Sequence, residues 1–333
     1  AITGCGIYLP EKVLTNHDLE KMVDTSDEWI TTRTGIRERR IAPEGVLVSD
    51  LATEASRKAL ENSGTSPEDV DLLVVATATP DTMFPSTACW AQAKLGLRNI
   101  PAFDVSAGCS GFLYALITAN GFVESGMAKK VLVVGAEELS RVTNYNDRNS
   151  CVLFGDGAGA IVLAPSNGDG RGIIATTWGA DGSLGELLIQ PAGGSRLQAS
   201  HETVDKNLHA IHMAGNEVYR YAVKAMQQAT LEVLEKSGMS ADDIDLFVPH
   251  QANLRIITAT AERAGVPMEK VLVTIDRYGN NSAASIPVAL ADAVAQRERS
   301  AIAAALNLLD DRRGEARAAS ASVSSSAAAT RPR

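Results

Sequence analysis

Cysteine, positive charge and long apolar runs are all scarce in this chain of 333 residues. Its 4 cysteines (Cys5, Cys89, Cys109, Cys151) include no Cys-x-x-Cys pair and no Cys/His metal spacing. A disulfide scaffold and a zinc module are thereby excluded, no metal site is assigned, and a reducing, cytoplasmic setting is expected. Lys and Arg total 31 against 40 Asp and Glu, a formal net charge of −9, which argues against a nonspecific nucleic-acid or membrane-surface binder. The longest uncharged stretch, Val105–Val123, carries Gly, Ser, Thr and Asn and reads as a buried helix, not a membrane span. No basic-then-apolar leader precedes Ala1–Pro10, which reads as a first strand; either there is no signal or it has been removed. The composition, 45% hydrophobic and 21% charged, is that of a globular protein long enough for two domains or two halves of one.

An internal repeat organises the chain. Leu60–Val75 (LENSGTSPEDVDLLVV) aligns with Leu234–Pro249 (LEKSGMSADDIDLFVP) at a constant offset, with Leu60/Leu234, Ser63/Ser237, Gly64/Gly238, Asp69/Asp243 and Asp71/Asp245 among the identities. Each copy reads as a helix end, a glycine stop, an acidic turn and an apolar strand. Alternating strands and helices in both copies imply an α/β fold with helices covering the sheets. The first copy predicts strands Leu72–Ala78, Ala102–Val105 and Lys130–Gly135, a helix over Ser110–Glu124 and a strand pair around Cys151–Ala164. The second predicts strands Ile244–Val248 and Val271–Ile275 with helices Gln251–Ala264 and Ala283–Ala295. After Gln296 its last two strands have no counterpart, and the Ala/Ser/Arg-rich stretch 297–333 is expected to be partly disordered.

Three residues fall at strand ends of these related units, where α/β sheets place ligand-facing groups. Cys109, in DVSAGCSGF, opens a helix whose free N–H groups favour a thiolate, and its small neighbours leave room for a substrate. His250 follows the strand of LFVPHQANLRI, while His17, His201, His209 and His212 lie in polar segments and read as solvated. Asn280, in DRYGNNSAAS, would alone be a turn residue. The glycines of FGDGAGA (Phe154–Ala160) lie in an apolar strand with no helix after it, so they signal close backbone packing and not a phosphate loop.

These segments, with DTSDEWITTRTGIRER (Asp24–Arg39) and MAGNEVY (Met213–Tyr219), resemble the thiolase-fold condensing enzymes, in particular the β-ketoacyl-acyl-carrier-protein synthase III family. The resemblance runs from Ala1 to about Ala295. It implies a duplicated, layered αβαβα fold of mixed, mostly parallel sheets, with halves at 1–165 and 172–296. A Cys–His–Asn set separates this group from elongating synthases, which use Cys–His–His, and the Trp29 segment separates it from plant-type polyketide enzymes.

By that resemblance, Cys109 would take an acyl group from acetyl-CoA or another short acyl-CoA. His250 and Asn280 would stabilise the enolate formed as malonyl-acyl carrier protein loses carbon dioxide, and no cofactor would be needed. Thr25, Trp29, Arg33 and Arg148 would hold the CoA adenine end, with Gly215, Tyr219 and Asn253 along the pantetheine arm. Phe84 would shape the acyl pocket across a homodimer interface, with Leu153 and Phe154 beside it. The acidic carrier protein needs local positive charge, for which Arg220, Arg255 and Arg263 are the candidates. Residues 297–333 hold seven Arg and four acids, which leaves a net −12 for the rest. The family's final strands carry a glycine-rich loop that lends a backbone N–H to the oxyanion hole. Its absence here leaves open an alternative, a CoA-binding homologue without turnover. A related enzyme priming polyketide synthesis is a further alternative.

Overall fold

Helix Val48–Ser63 stops at Gly64 (φ 62°, ψ 25°), and helix Gly215–Ser237 stops at Gly238 (φ 69°, ψ 18°). Both glycines adopt the left-handed conformation that closes a helix at least cost to a residue without a β-carbon. Each is followed by one 3₁₀ turn, Pro67–Asp69 and Ala241–Asp243, and then by an extended apolar segment. The repeat seen in the sequence is thus a repeat of backbone geometry.

The computed structural model describes residues 1–168 and 172–297. The chain divides into two compact units, Ala1–Ala291 and Asp292–Arg333. In the second, residues 292–297 are helical and Gln296 Nε2 donates to Asp292 Oδ2 at 2.6 Å. The expectation of disorder after Arg297 lies outside the described residues.

The first unit is built on a five-stranded sheet: β1 (Ile2–Tyr8), β2 (Leu72–Ala76), β3 (Ala102–Val105), β4 (Val131–Glu138) and β5 (Asp156–Leu163). Its spatial order is β1-β5-β4-β2-β3. The β4–β2 and β2–β3 pairs are parallel, and β1–β5 and β5–β4 are antiparallel. Strands β2, β4 and β5 are buried along their whole length. That is why β2 and the bodies of β4 and β5 read as apolar runs instead of alternating ones, with acids only at the end of β4 and the start of β5. The two-residue period still sorts their side chains. Leu73, Val75, Leu132 and Val134 pack with helices Val48–Ser63 and Thr87–Leu95. Leu72, Val74, Val131 and Val133 pack with helix Gly111–Glu124 and with Ala283, Ile286 and Leu290.

Two expectations are corrected. In place of a strand pair around Cys151–Ala164 there is the single strand β5. Cys151–Leu153 form a turn, and Phe154 makes one parallel bridge to Asn280. The strands expected at Ile244–Val248 and Val271–Ile275 shrink to one parallel bridge, Phe247 with Val271. The Phe247 N–H donates to Lys270 O at 2.8 Å, and the Leu272 N–H to Phe247 O at 2.9 Å. Among the described residues no further strand extends this pair, and a short isolated pair does not sustain a ladder.

The glycines of FGDGAGA are where helices and turns press on β5. A β-carbon on Gly159 would lie 2.5 Å from the Pro287 carbonyl carbon, and one on Gly155 2.5 Å from Tyr278 O. The close-packing reading therefore stands.

Candidate active site

A single turn, Asn280 to Ser285, touches all three residues that the sequence singled out. Its own Asn280 is buried, 7% exposed, and the side-chain oxygen accepts the Ser282 N–H at 2.8 Å. The 3₁₀ turn Ser282–Ala284 packs against the 3₁₀ turn Gly108–Ser110 that carries Cys109. Ser285 Oγ lies 2.6 Å from His250 Nδ1. The turn is held in place by its fit to β4. A β-carbon on Gly135 would meet Ala283 O at 2.5 Å, so no larger residue there leaves the turn where it is.

Cys109 sits in the 3₁₀ turn Gly108–Ser110, which runs straight into helix Gly111–Glu124. Gly108 takes a positive φ of 51° to make that entry. Burial pushes the thiol up to about 11 and the carboxyl of Glu137 adds to it, against the pull of the helix entry towards a thiolate.

His250 is neutral in the resting site, since burial lowers its pKa to about 4. The Ser285 oxygen also accepts the Gln251 N–H at 3.3 Å, and with the Ser285 proton given to His250 Nδ1 the imidazole carries its own on Nε2. Gln251 is buried. Its side-chain oxygen accepts the N–H groups of Thr274 (2.8 Å) and Ile275 (3.1 Å), and its amide donates to Pro249 O and Leu272 O, both at 3.0 Å. These bonds join the two short segments that carry His250 and Asn280.

A second cluster lies on helix Asp27–Thr34. Trp29 is flanked by two guanidinium groups, Arg148 at 4.7 Å and Arg33 at 4.9 Å from its ring centre. Arg148 is anchored by donating to Asp24 O at 2.8 Å. Beside it, Thr25 Oγ1 is buried without a hydrogen-bond partner.

The comparisons with known proteins decide the family. The model of the 3-oxoacyl-[acyl-carrier-protein (ACP)] synthase III family matches residues 103–182, and the model of its C-terminal part matches residues 234–306. The β-ketoacyl-[acyl-carrier-protein] synthase III of Caldanaerobacter subterraneus subsp. tengcongensis is 60% identical over 292 residues, 88% of this chain and 88% of that protein. Its counterpart in Symbiobacterium thermophilum is 53% identical over 295 residues, 89% of each. The chain belongs to the synthase III family. The crystal structure of 3-oxoacyl-[acyl-carrier-protein] synthase III from Aquifex aeolicus superposes with a TM-score of 0.81 at 52% identity, covering 89% of this chain and 90% of that one. The thiolase-like fold is thereby shown, and this synthase III relative is an acyl-transferring condensing enzyme.

The remaining residues singled out in the sequence fall into three groups. Asn253 caps helix Leu254–Ala264, accepting the Arg255 N–H at 2.9 Å and donating to Arg33 O at 3.1 Å. It thus ties the two clusters together. Gly215 opens helix Gly215–Ser237, and one turn on, Tyr219 lies under the Arg255 guanidinium at 5.4 Å. Arg220 is exposed and pairs with Glu217 at 3.5 Å, and Arg263 is exposed. Leu153 and Phe154 are buried in one core cluster with Val271 and Ile275, whereas Phe84 is 85% exposed beside Met83 at 79%. The single chain does not bring Phe84 to the other two.

Of the histidines read as solvated, His17 and His201 are exposed. His209 and His212 are instead tied down, to Thr203 Oγ1 at 2.9 Å and Asn207 O at 3.1 Å, because the loop folds back on helix His201–Asp205. Sequence reasoning passed over Glu137, Ser282 and Ser285. Both serines stood in the quoted DRYGNNSAAS, and Glu137 was legible as an acid at the end of an apolar strand. Among the described residues, no helix is long and apolar enough to cross a membrane.

Proposed function

We propose that this chain condenses a short acyl-CoA, acetyl-CoA in the first instance, with malonyl-acyl carrier protein, the opening step of fatty-acid synthesis in the cytoplasm. Cys109 attacks the acyl-CoA carbonyl, the carbon–sulfur bond to CoA breaks, and the acyl group is left on Sγ. Malonyl-acyl carrier protein then loses carbon dioxide. Negative charge develops on its thioester oxygen, and His250 Nε2–H and the Asn280 amide donate to that oxygen. The enolate carbon attacks the acyl-cysteine and Cys109 leaves. Carbon dioxide drives the step and no electron changes hands, so this chemistry calls for no redox cofactor.

The observation that carries this reading is the Asn280–Ser285 turn, which packs against the turn carrying Cys109, bonds to His250 through Ser285 and holds Asn280 by its oxygen. Residues 1–165 supply the nucleophile and residues 172–296 the two donors, the division of labour expected of a duplicated fold. Trp29, Arg33, Arg148 and Thr25 hold the nucleotide end of CoA, with Asn253, Gly215 and Tyr219 along its arm. Exposed Phe84 and Met83 are the kind of surface that a second copy covers, which supports a homodimer with Phe84 completing the partner's acyl pocket beside Leu153 and Phe154. Arg220, Arg255 and Arg263 meet the acidic carrier protein.

The test is turnover with acetyl-CoA and malonyl-acyl carrier protein, following the β-ketoacyl product and released carbon dioxide. Product in the wild type and none in Cys109→Ala supports the reading. CoA binding with no product from the wild type overturns it.

A further inference from the structure

The group bonded to His250 Nδ1 is a hydroxyl, Ser285 Oγ at 2.6 Å, and not a carboxylate or a carbonyl. The distinction decides what the far side of the ring can do. A carboxylate or carbonyl only accepts, so it holds the ring proton on Nδ1 and leaves a lone pair, a base, on Nε2. A hydroxyl can give as well as accept, and the ring proton then goes wherever the hydroxyl proton does not.

The surroundings of Ser285 settle the direction. Its side chain is buried, 1% exposed, and its oxygen has two neighbours, His250 Nδ1 and the Gln251 N–H at 3.3 Å. Among the described residues it makes no further hydrogen bond. The Gln251 N–H can only donate, so Nδ1 is the acceptor available to the Ser285 proton. With the ring turned to its other tautomer, two donors would face each other and a buried hydroxyl proton would be left unpaired. The ring itself is neutral, because burial disfavours its charged form. One proton therefore remains on it, at Nε2.

Both partners of this bond are held from outside. Ser285 directly follows the 3₁₀ turn Ser282–Ala284, at the far end of the turn that begins with Asn280. Gln251, next to His250, is pinned through its side chain to the backbone of Pro249, Leu272, Thr274 and Ile275. One turn thus directs two side chains, the Asn280 amide through the Ser282 N–H and the His250 imidazole through the Ser285 hydroxyl.

We propose that Ser285 is a positioning residue for condensation, whose hydroxyl proton fills Nδ1 of His250 and so keeps Nε2 a hydrogen-bond donor towards the malonyl thioester oxygen. This rests on the reading of His250 as a donor in the condensation step. Ser285 touches no reacting atom. Its effect is confined to the half-reaction in which Nε2–H is used, so acetyl transfer to Cys109 does not depend on it.

The test combines a spectroscopic signature with the two half-reactions, in the full chain. Protein labelled with ¹⁵N in the histidine rings is examined by long-range ¹H–¹⁵N correlation, which tells a protonated ring nitrogen from a bare one, and His250→Asn assigns the His250 signals. Wild type should show His250 as a single tautomer with the proton on Nε2. Ser285→Ala should shift or average those signals, lower condensation with malonyl-acyl carrier protein about tenfold, as loss of one buried hydrogen bond implies, and leave acetylation of Cys109 at the wild-type rate. Ser285→Cys, which keeps only a weak donor, should show both effects in smaller measure, and it decides by the same criteria should Ser285→Ala not fold. A wild-type ring protonated on Nδ1 overturns the proposal. So do variants with the wild-type ring signals or condensation rate, or with equal losses in both half-reactions. If wild type acquires no acetyl group on Cys109, the functional reading fails, and the ring signals still decide which proton Ser285 sets.

Discussion

The Asn280 side-chain oxygen accepts the Ser282 N–H at 2.8 Å, and this bond fixes the direction of the whole amide. With the oxygen committed, the NH₂ group is left as a donor for developing charge. Asn280→Asp keeps an acceptor for Ser282 and replaces the donor by a second acceptor. Condensation with malonyl-acyl carrier protein should fall by about 10²–10³ or more. Acetyl transfer from acetyl-CoA to Cys109 should stay near the wild-type rate, and stopped-flow assays of the two half-reactions check both statements.

His250 supplies a stability signature. Its pKa is about 6.5 when unfolded and about 4 in the fold, so the fold favours the neutral ring. That contribution is complete above pH 6.5 and is lost as the pH falls towards 4, to at most about 3 kcal/mol for this half-buried group. Buried Glu137, Glu138 and Asp156 and half-buried Asp104, all raised, act in the opposite sense. The difference between wild type and His250→Asn isolates the histidine. In urea titrations that difference should shrink steadily between these two pH values, and a difference independent of pH would contradict it.

Gly135 is the floor under the catalytic turn. A β-carbon there meets Ala283 O at 2.5 Å and Ala284 Cα at 3.1 Å, both backbone atoms that cannot swing away. Gly135→Ala should cost about 1–3 kcal/mol in urea unfolding through overpacking. It should also lower kcat far more than KM, because displacing the turn moves Asn280 and Ser282 together. The control is Gly121→Ala, whose β-carbon meets nothing within 4 Å.

Arg33 and Arg148 lie 4.9 and 4.7 Å from the Trp29 ring centre, and replacing Trp29 removes two contacts of about 0.5–1 kcal/mol each at a partly exposed site, together with the ring proposed to meet the adenine. Trp29→Ala should raise KM for acetyl-CoA roughly tenfold, as loss of about 1.4 kcal/mol implies. KM for acetyl-pantetheine, which lacks the nucleotide, should not move. Steady-state kinetics with both substrates checks this.

How much of this was legible in the sequence follows from where the signals lie. Gly64 and Gly238 could be read because a helix stop needs a residue free to take positive φ, and the repeated Ser-Gly-x-Ser pattern marks it twice. Cys109, His250 and Asn280 could be read because each sets a reactive side chain in a small-residue or polar turn shortly after an apolar segment. The short pairing at Phe247 and Val271 could not, because a strand's length depends on its neighbours and not on its own residues. Ser282 and Glu137 were missed for a similar reason. A serine in a small-residue turn and an acid beside another acid look ordinary until the fold lays that turn, through the Ala283 N–H, on the buried Glu137 carboxyl. The high thiol pKa of Cys109 follows from burial, which local helix geometry alone does not report.

The acylation of Cys109 tests the central claim most directly. Wild-type protein is incubated with acetyl-CoA alone, and the peptide carrying Cys109 is weighed, with Cys109→Ser as the control. One acetyl group on Cys109, absent from the variant and discharged on adding malonyl-acyl carrier protein, is the predicted result. Bound CoA with Cys109 unmodified, or an acetyl group that malonyl-acyl carrier protein leaves in place, would contradict it.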